Sequence, residues 1–168
     1  MTTSQPTKSL RQLLESLRVS AEKLGRQTHA GFAMIIAAAL DRLLEEALTT
    51  KMVKLNSEMR SKLFGEFGAL RDFSSKITLA HSLGVADDQC YKRLTMIRRV
   101  RNLFAHNEGY LGFDSPEVSA LIAKELGESF AATSVESFVK IAEAIESYVT
   151  SACELPHTGL IARLNADR

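Results

Sequence analysis

Apolar residues recur along this chain at the helical period of about 3.6 residues. Leu10, Leu13, Leu14, Leu17, Ala21 and Leu24 predict a first helix from Ser9 to Leu24, with Gly25 as its C-terminal cap. A second helix is predicted from His29 to Val53. Its wide apolar stripe is Phe32, Ile35, Ile36, Ala39, Leu40, Leu43, Ala47 and Leu48, and Asp41, Arg42, Glu45 and Glu46 fall opposite. Ala37, Ala38 and Ala39 let a neighbouring backbone come close, so this is the expected central helix. A short turn of helix follows from Ser57 to Phe64, and Gly65 and Gly68 then mark a loop. Leu70 to Leu83 reads as the next helix, with Phe73, Ile77, Ala80 and Leu83 inward and Gly84 ending it.

Start signals place the remaining elements. Asp87 is positioned to cap a helix that runs to His106 or Asn107. After a loop with Gly109 and Gly112, Ser115-Pro116 is a serine cap followed by proline at the first helical position, and that helix reaches Leu126. Thr133-Ser134-Val135-Glu136 reads as a capping box. It opens a last helix through Cys153, with Val135, Phe138, Val139, Ala142, Ile145 and Val149 on one face. Pro6, Pro116 and Pro156 all stand at boundaries, and no alternating strand pattern, hairpin signal or repeat is present. The prediction is an all-α fold: a multi-helix bundle, a single domain of about six helices. Residues 1–8 form a flexible N-terminal tail, 9–154 the helical domain and 155–168 a C-terminal tail in which Leu160, Ile161 and Leu164 dock or fray.

Bulk composition narrows the function. With 21 Lys+Arg against 20 Asp+Glu the net charge is +1, which is not the balance of a dedicated nucleic-acid binder. A local basic stripe does exist: from Tyr91 to Arg101 lie Lys92, Arg93, Arg98, Arg99 and Arg101 and no acid. The simpler reading is a solvated face offset by the acidic later helices, with Glu117, Glu125, Glu128, Glu136, Glu143 and Glu146. Cys90 and Cys153 fit no metal spacing and read as free thiols of a cytoplasmic protein, since the N-terminus lacks the layout of a secretory signal. The most apolar run, Phe32 to Leu40, falls well short of the about 20 residues a membrane span needs. His29, His81 and His157 are scattered, Asp87-Asp88 reads as a cap, and Ser74 and Ser75 lack a nucleophile elbow. No metal and no cofactor is expected.

One constellation carries candidate chemistry. On the helix after Asp87, Leu94, Met96, Ile97, Val100, Leu103 and Phe104 form the core arc, and Arg98, Asn102 and His106 line up on the other side at i, i+4 and i+8. Arg101 sits at the edge of the apolar arc, its stem suited to burial and its guanidinium to an anion. Arginine offers a planar fork to a phosphate, asparagine orients a hydroxyl or water, and histidine is an acid or base near neutral pH. Metal-free RNA cleavage needs little more. The alternative is a structural polar network, with Arg101 paired to Asp41 or Glu45.

Arg101-Asn102-Leu103-Phe104-Ala105-His106 is similar to the Arg-Asn-x-x-x-His signature of HEPN domains. A wider stretch resembles the mannitol operon repressor (MltR) family: Leu63-Phe64-Gly65-Glu66-Phe67-Gly68-Ala69-Leu70, Phe73-Ser74-Ser75-Lys76-Ile77, Leu79-Ala80, Leu83-Gly84, and Ile97 through His106, with Asp41-Arg42-Leu43-Leu44 before them. The resemblance covers Ala33 to Asn107 and departs where the loop reads Gly-Glu-Phe-Gly-Ala-Leu. It implies a helical bundle acting as a bacterial transcriptional repressor, without a helix-turn-helix, through protein partners. The phosphocarrier protein of the sugar phosphotransferase system is one such partner, with DNA or RNA as further candidates and a homodimer as the assembly. Arg98, Arg101, Asn102 and His106 are the binding residues on this reading, which is not enzymatic. The HEPN likeness implies instead a metal-independent ribonuclease using Arg101, Asn102 and His106, or a non-catalytic interaction module.

Overall fold

The computed structural model describes residues 10–52, 54–107, 111–126 and 135–155, with side chains from residue 28 onward except at 125, 126 and 136. Among them are six helices and no strand: α1 (Leu10–Lys51), α2 (Ser57–Phe64), α3 (Phe73–Ser82), α4 (Asp88–His106), α5 (Pro116–Leu126) and α6 (Val135–Ala152). The all-α single domain is as the periodicity predicts.

The first two predicted helices are one. No break occurs at Gly25, and α1 runs unbroken through it. A lone glycine costs a helix only about 1 kcal/mol, no proline follows it, and the surrounding residues are good helix formers. The other boundaries follow their local chemistry. Asn56 caps α2, its side-chain oxygen accepting from Met59 N at 2.8 Å. Asp87 caps α4 in the same way, accepting from Cys90 N at 2.7 Å. Ser115 Oγ accepts from Gly112 N at 2.8 Å in the turn before Pro116 opens α5. The Thr133-Ser134 cap and both predicted tails lie outside the described residues, except Leu155, which is partly buried against the core.

Helix α1 is the spine against which α3, α4 and α6 pack. Its fully buried Ala33, Ala39, Leu40, Leu43, Leu44, Ala47 and Leu48 face Leu94, Ile97 and Val100 of α4 and Phe138, Ile145 and Val149 of α6 across one core. Phe113, from the segment before α5, fills the end of that core. Its ring lies 5.2 Å from Phe104, 4.8 Å from Phe138 and 5.4 Å from His29. Its backbone N–H donates to His29 Nδ1 at 3.3 Å, which ties the segment to α1.

Two predicted core residues are exposed. Ile35 is 46% exposed because it lies on the outward face of α1 with Gly31, Met34 and Ala38. Leu83 is 48% exposed because α3 has already ended at Ser82 and the chain turns through Gly84, whose φ of 71° is left-handed. No helix among the described residues is long and apolar enough to cross a membrane.

Candidate functional site: the polar face of α4

Burial fixes the rotation of α4. Cys90, Leu94, Met96, Ile97, Val100 and Phe104 are buried, so the residues between them must face outward. Arg98 and Asn102 are half-buried and His106 is exposed, on the one face their spacing predicts. Among the described residues none of these three side chains makes a hydrogen bond or an ion pair, and the fork, the amide and the imidazole share one outward face. Lys92, Thr95 and Arg99 extend the same stripe, with Asp88 of the first turn as its one acid.

Arg101 stands one step around the helix and looks elsewhere. It lines a groove of about 420 Å³ with Met34, Ala37, Ala38 and Asp41 of α1, Arg71 and Asp72 of the preceding loop, and Phe73 of α3. The ion pair from Arg101 to Asp41 or Glu45, which the alternative structural reading offered, is not made. Lys76 takes both carboxylates instead, with Nζ 2.9 Å from Asp41 Oδ2 and 3.3 Å from Glu45 Oε2, and its side chain only 4% exposed. Arg60 of α2 completes the cluster, donating from Nη2 to Glu45 Oε1 at 3.0 Å. The Lys76 ammonium also sits 5.8 Å from the centre of the Phe64 ring. One polar knot thus joins α1, α2 and α3.

Asp41 shows the balance of forces there. Burial pushes its carboxyl above the ordinary 3.8, although the Lys76 hydrogen bond and charge and the Arg101 charge pull it down. Its second oxygen, Oδ1, is buried with no hydrogen-bond partner. Lys76 escaped the sequence reading, yet it was marked there: Phe73, Lys76, Ile77 and Ala80 follow the helical period, which places a lysine on the core face of α3.

Other candidates take structural roles. His81 Nδ1 lies 3.0 Å from Ala86 O and Nε2 3.5 Å from Asp88, which holds the α3–α4 turn. Cys90 is buried, and burial first, with Asp87 adding to it, pushes its thiol up to about 12. Such a thiol stays protonated and inert near neutral pH. Ser74 is exposed on α3 with no base beside it among the described residues.

The chain was compared with known proteins, and no protein-family model, curated protein or solved structure matches it.

Proposed function

We propose that this protein is a transcriptional regulator of the mannitol operon repressor type, which works by contact rather than by catalysis. The observation that carries the reading is the row of Arg98, Asn102 and His106 on one outward face of α4, without hydrogen-bond or ion-pair partners among the described residues. A planar cation beside an amide and an imidazole recognises an anionic partner through charge-assisted hydrogen bonds. The residues quoted for the resemblance supply the partner classes: the phosphocarrier protein of the sugar phosphotransferase system, or the phosphates of operator DNA. Arg101, turned into its groove beside Asp41, serves the margin of this face.

The test is binding of purified phosphocarrier protein, and of duplex DNA from a mannitol promoter, across a salt series. Wild-type chain binds one of them with affinity that falls as salt rises, and Arg98→Glu abolishes binding without changing the helical circular dichroism. Failure to bind either refutes the reading. A second reading has narrower support: Asn102 and His106 share the outward face of α4 and His106 is exposed, while Arg101 turns into its groove. If the chain is a metal-independent ribonuclease, it cleaves RNA in chelator and His106→Ala does not.

A further inference from the structure

The turn between α2 and α3 holds an aromatic side chain in water. Phe67 is 95% exposed. Its neighbours at either end of the turn are not: Phe64 packs against the core and Leu70 is buried. The turn is stiff. Gly65 N donates to Ser61 O at 2.8 Å, Gly68 N to Gly65 O at 2.9 Å, Leu70 N to Leu63 O at 2.8 Å and Arg71 N to Gly68 O at 3.1 Å. Glycine is required at both corners, because a Cβ on Gly65 would strike Ser61 O and one on Gly68 would strike Leu63 O. Arg71 Nη1 closes the turn on Glu66 O at 2.9 Å. An exposed aromatic on a fixed turn gives up little backbone freedom when it binds, and a ring with only two side-chain torsions suits an interface anchor.

The same surface offers a receptor for it. Arg71, which braces the turn, also lines the groove of about 420 Å³ whose apolar walls are Met34, Ala37, Ala38 and Phe73. Its polar groups are asymmetric. Asp41 Oδ2 is held by Lys76 at 2.9 Å, though its Oδ1 is left without a partner, and Asp72 lies 4.0 Å from Arg71, whereas Arg101 has no ion pair among the described residues. The groove therefore suits an aromatic ring that arrives beside a carboxylate, and Glu66-Phe67 presents that pair. Met34 at the groove's edge and Ile35 next to it are 37% and 46% exposed, which adds apolar area around the ring.

We propose that two copies of this chain pair about a two-fold axis, each inserting Phe67 into the other's groove with Glu66 against Arg101. Anchor and groove are contiguous on one chain through Arg71, as an interface in which each surface meets its own copy demands. Each ring would remove roughly 150–250 Å² from water, and Met34 and Ile35 extend the patch toward the size of a specific interface. The proposal deepens the regulatory reading, whose resemblance implies a homodimer, by naming the interface, and it does not depend on what the face of Arg98, Asn102 and His106 binds.

Sedimentation velocity over a wide range of concentration tests it. Wild type is expected to dimerise, and Phe67→Ser to raise the dissociation constant roughly 100-fold or more while the circular dichroism is unchanged. Ala38→Trp, at an exposed position that lines the groove, should block it from the other side. The two variants still complement each other: one keeps the groove, the other the ring. Mixed, they should associate more tightly than either alone, through one restored contact. A wild type that stays monomeric, a Phe67→Ser dimer as tight as wild type, or a mixture no tighter than its parts would each overturn the proposal.

Discussion

Replacing Lys76 by Met tests the polar knot that sets the spacing of α1, α2 and α3. The substitution keeps the buried stem and removes only the ammonium, so Asp41 and Glu45 lose the cation 2.9 and 3.3 Å away. Removing one partner from a fully buried pair costs about 3–5 kcal/mol, because the other charge is stranded. Here the stranded groups are less isolated. The Asp41 and Glu45 side chains are 31% and 22% exposed, and Arg60 still holds Glu45 at 3.0 Å. The expected loss is therefore about 2–3 kcal/mol near neutral pH, discounted for water and for Arg60. The loss must also depend on pH. The folded Asp41 carboxyl already lies above 3.8, and without Lys76 it rises further. A carboxyl raised in the folded state contributes stability that is complete below its unfolded value and is lost as pH climbs through its folded one. The Lys76→Met deficit should thus be smallest near an acidic pH of about 4 and complete by neutrality. Urea denaturation followed by circular dichroism at both pH values measures it. A deficit below about 0.5 kcal/mol at neutral pH, the range of an ordinary surface change, would refute the reasoning. So would an equal deficit at both pH values.

Two further outcomes follow from the geometry around the site. Gly68→Ala forces a methyl group against the backbone oxygen of Leu63 and should cost roughly 1–3 kcal/mol in urea denaturation, with α2 and α3 moved apart to make room. Cys90, with its thiol pushed up to about 12, carries almost no thiolate at neutral pH. It should react with a thiol reagent only as fast as the chain opens, at a rate that denaturant accelerates; rapid labelling of the native protein at Cys90 would contradict its burial.

Local patterns made α4 legible to the level of single faces. Six buried residues fix its rotation, so the outward alignment of Arg98, Asn102 and His106 followed from spacing, and Asp87 announced the start. What local pattern does not decide is which distant groups meet. Glycine at position 25 looked like a stop, yet α1 passes through it, since one glycine is a small cost spread over a helix of 42 residues. Likewise Phe64, Phe67 and Leu70 are all apolar, and only tertiary packing decides that the outer two turn toward the core while the middle one stays in water.

The exchange of Arg101 for Lys76 as the partner of Asp41 has the largest consequence for the site. Two cations on different helices were within reach of the carboxylates of α1, and the sequence ranks neither. Lysine sits deeper on the core face of α3, where its single ammonium reaches Asp41 and Glu45 together. A guanidinium at the margin of α4 is not needed there. Had Arg101 made that pair, the groove of Met34, Ala37, Ala38 and Phe73 would have been capped by a neutralised cluster, and α4 would have kept only its outer row for an anion. With Lys76 in place, Arg101 keeps its charge at the groove, and cationic groups run from the groove around to Arg98. A second chain that covers the groove and an anionic partner on the outer face would then meet at adjoining positions of one helix.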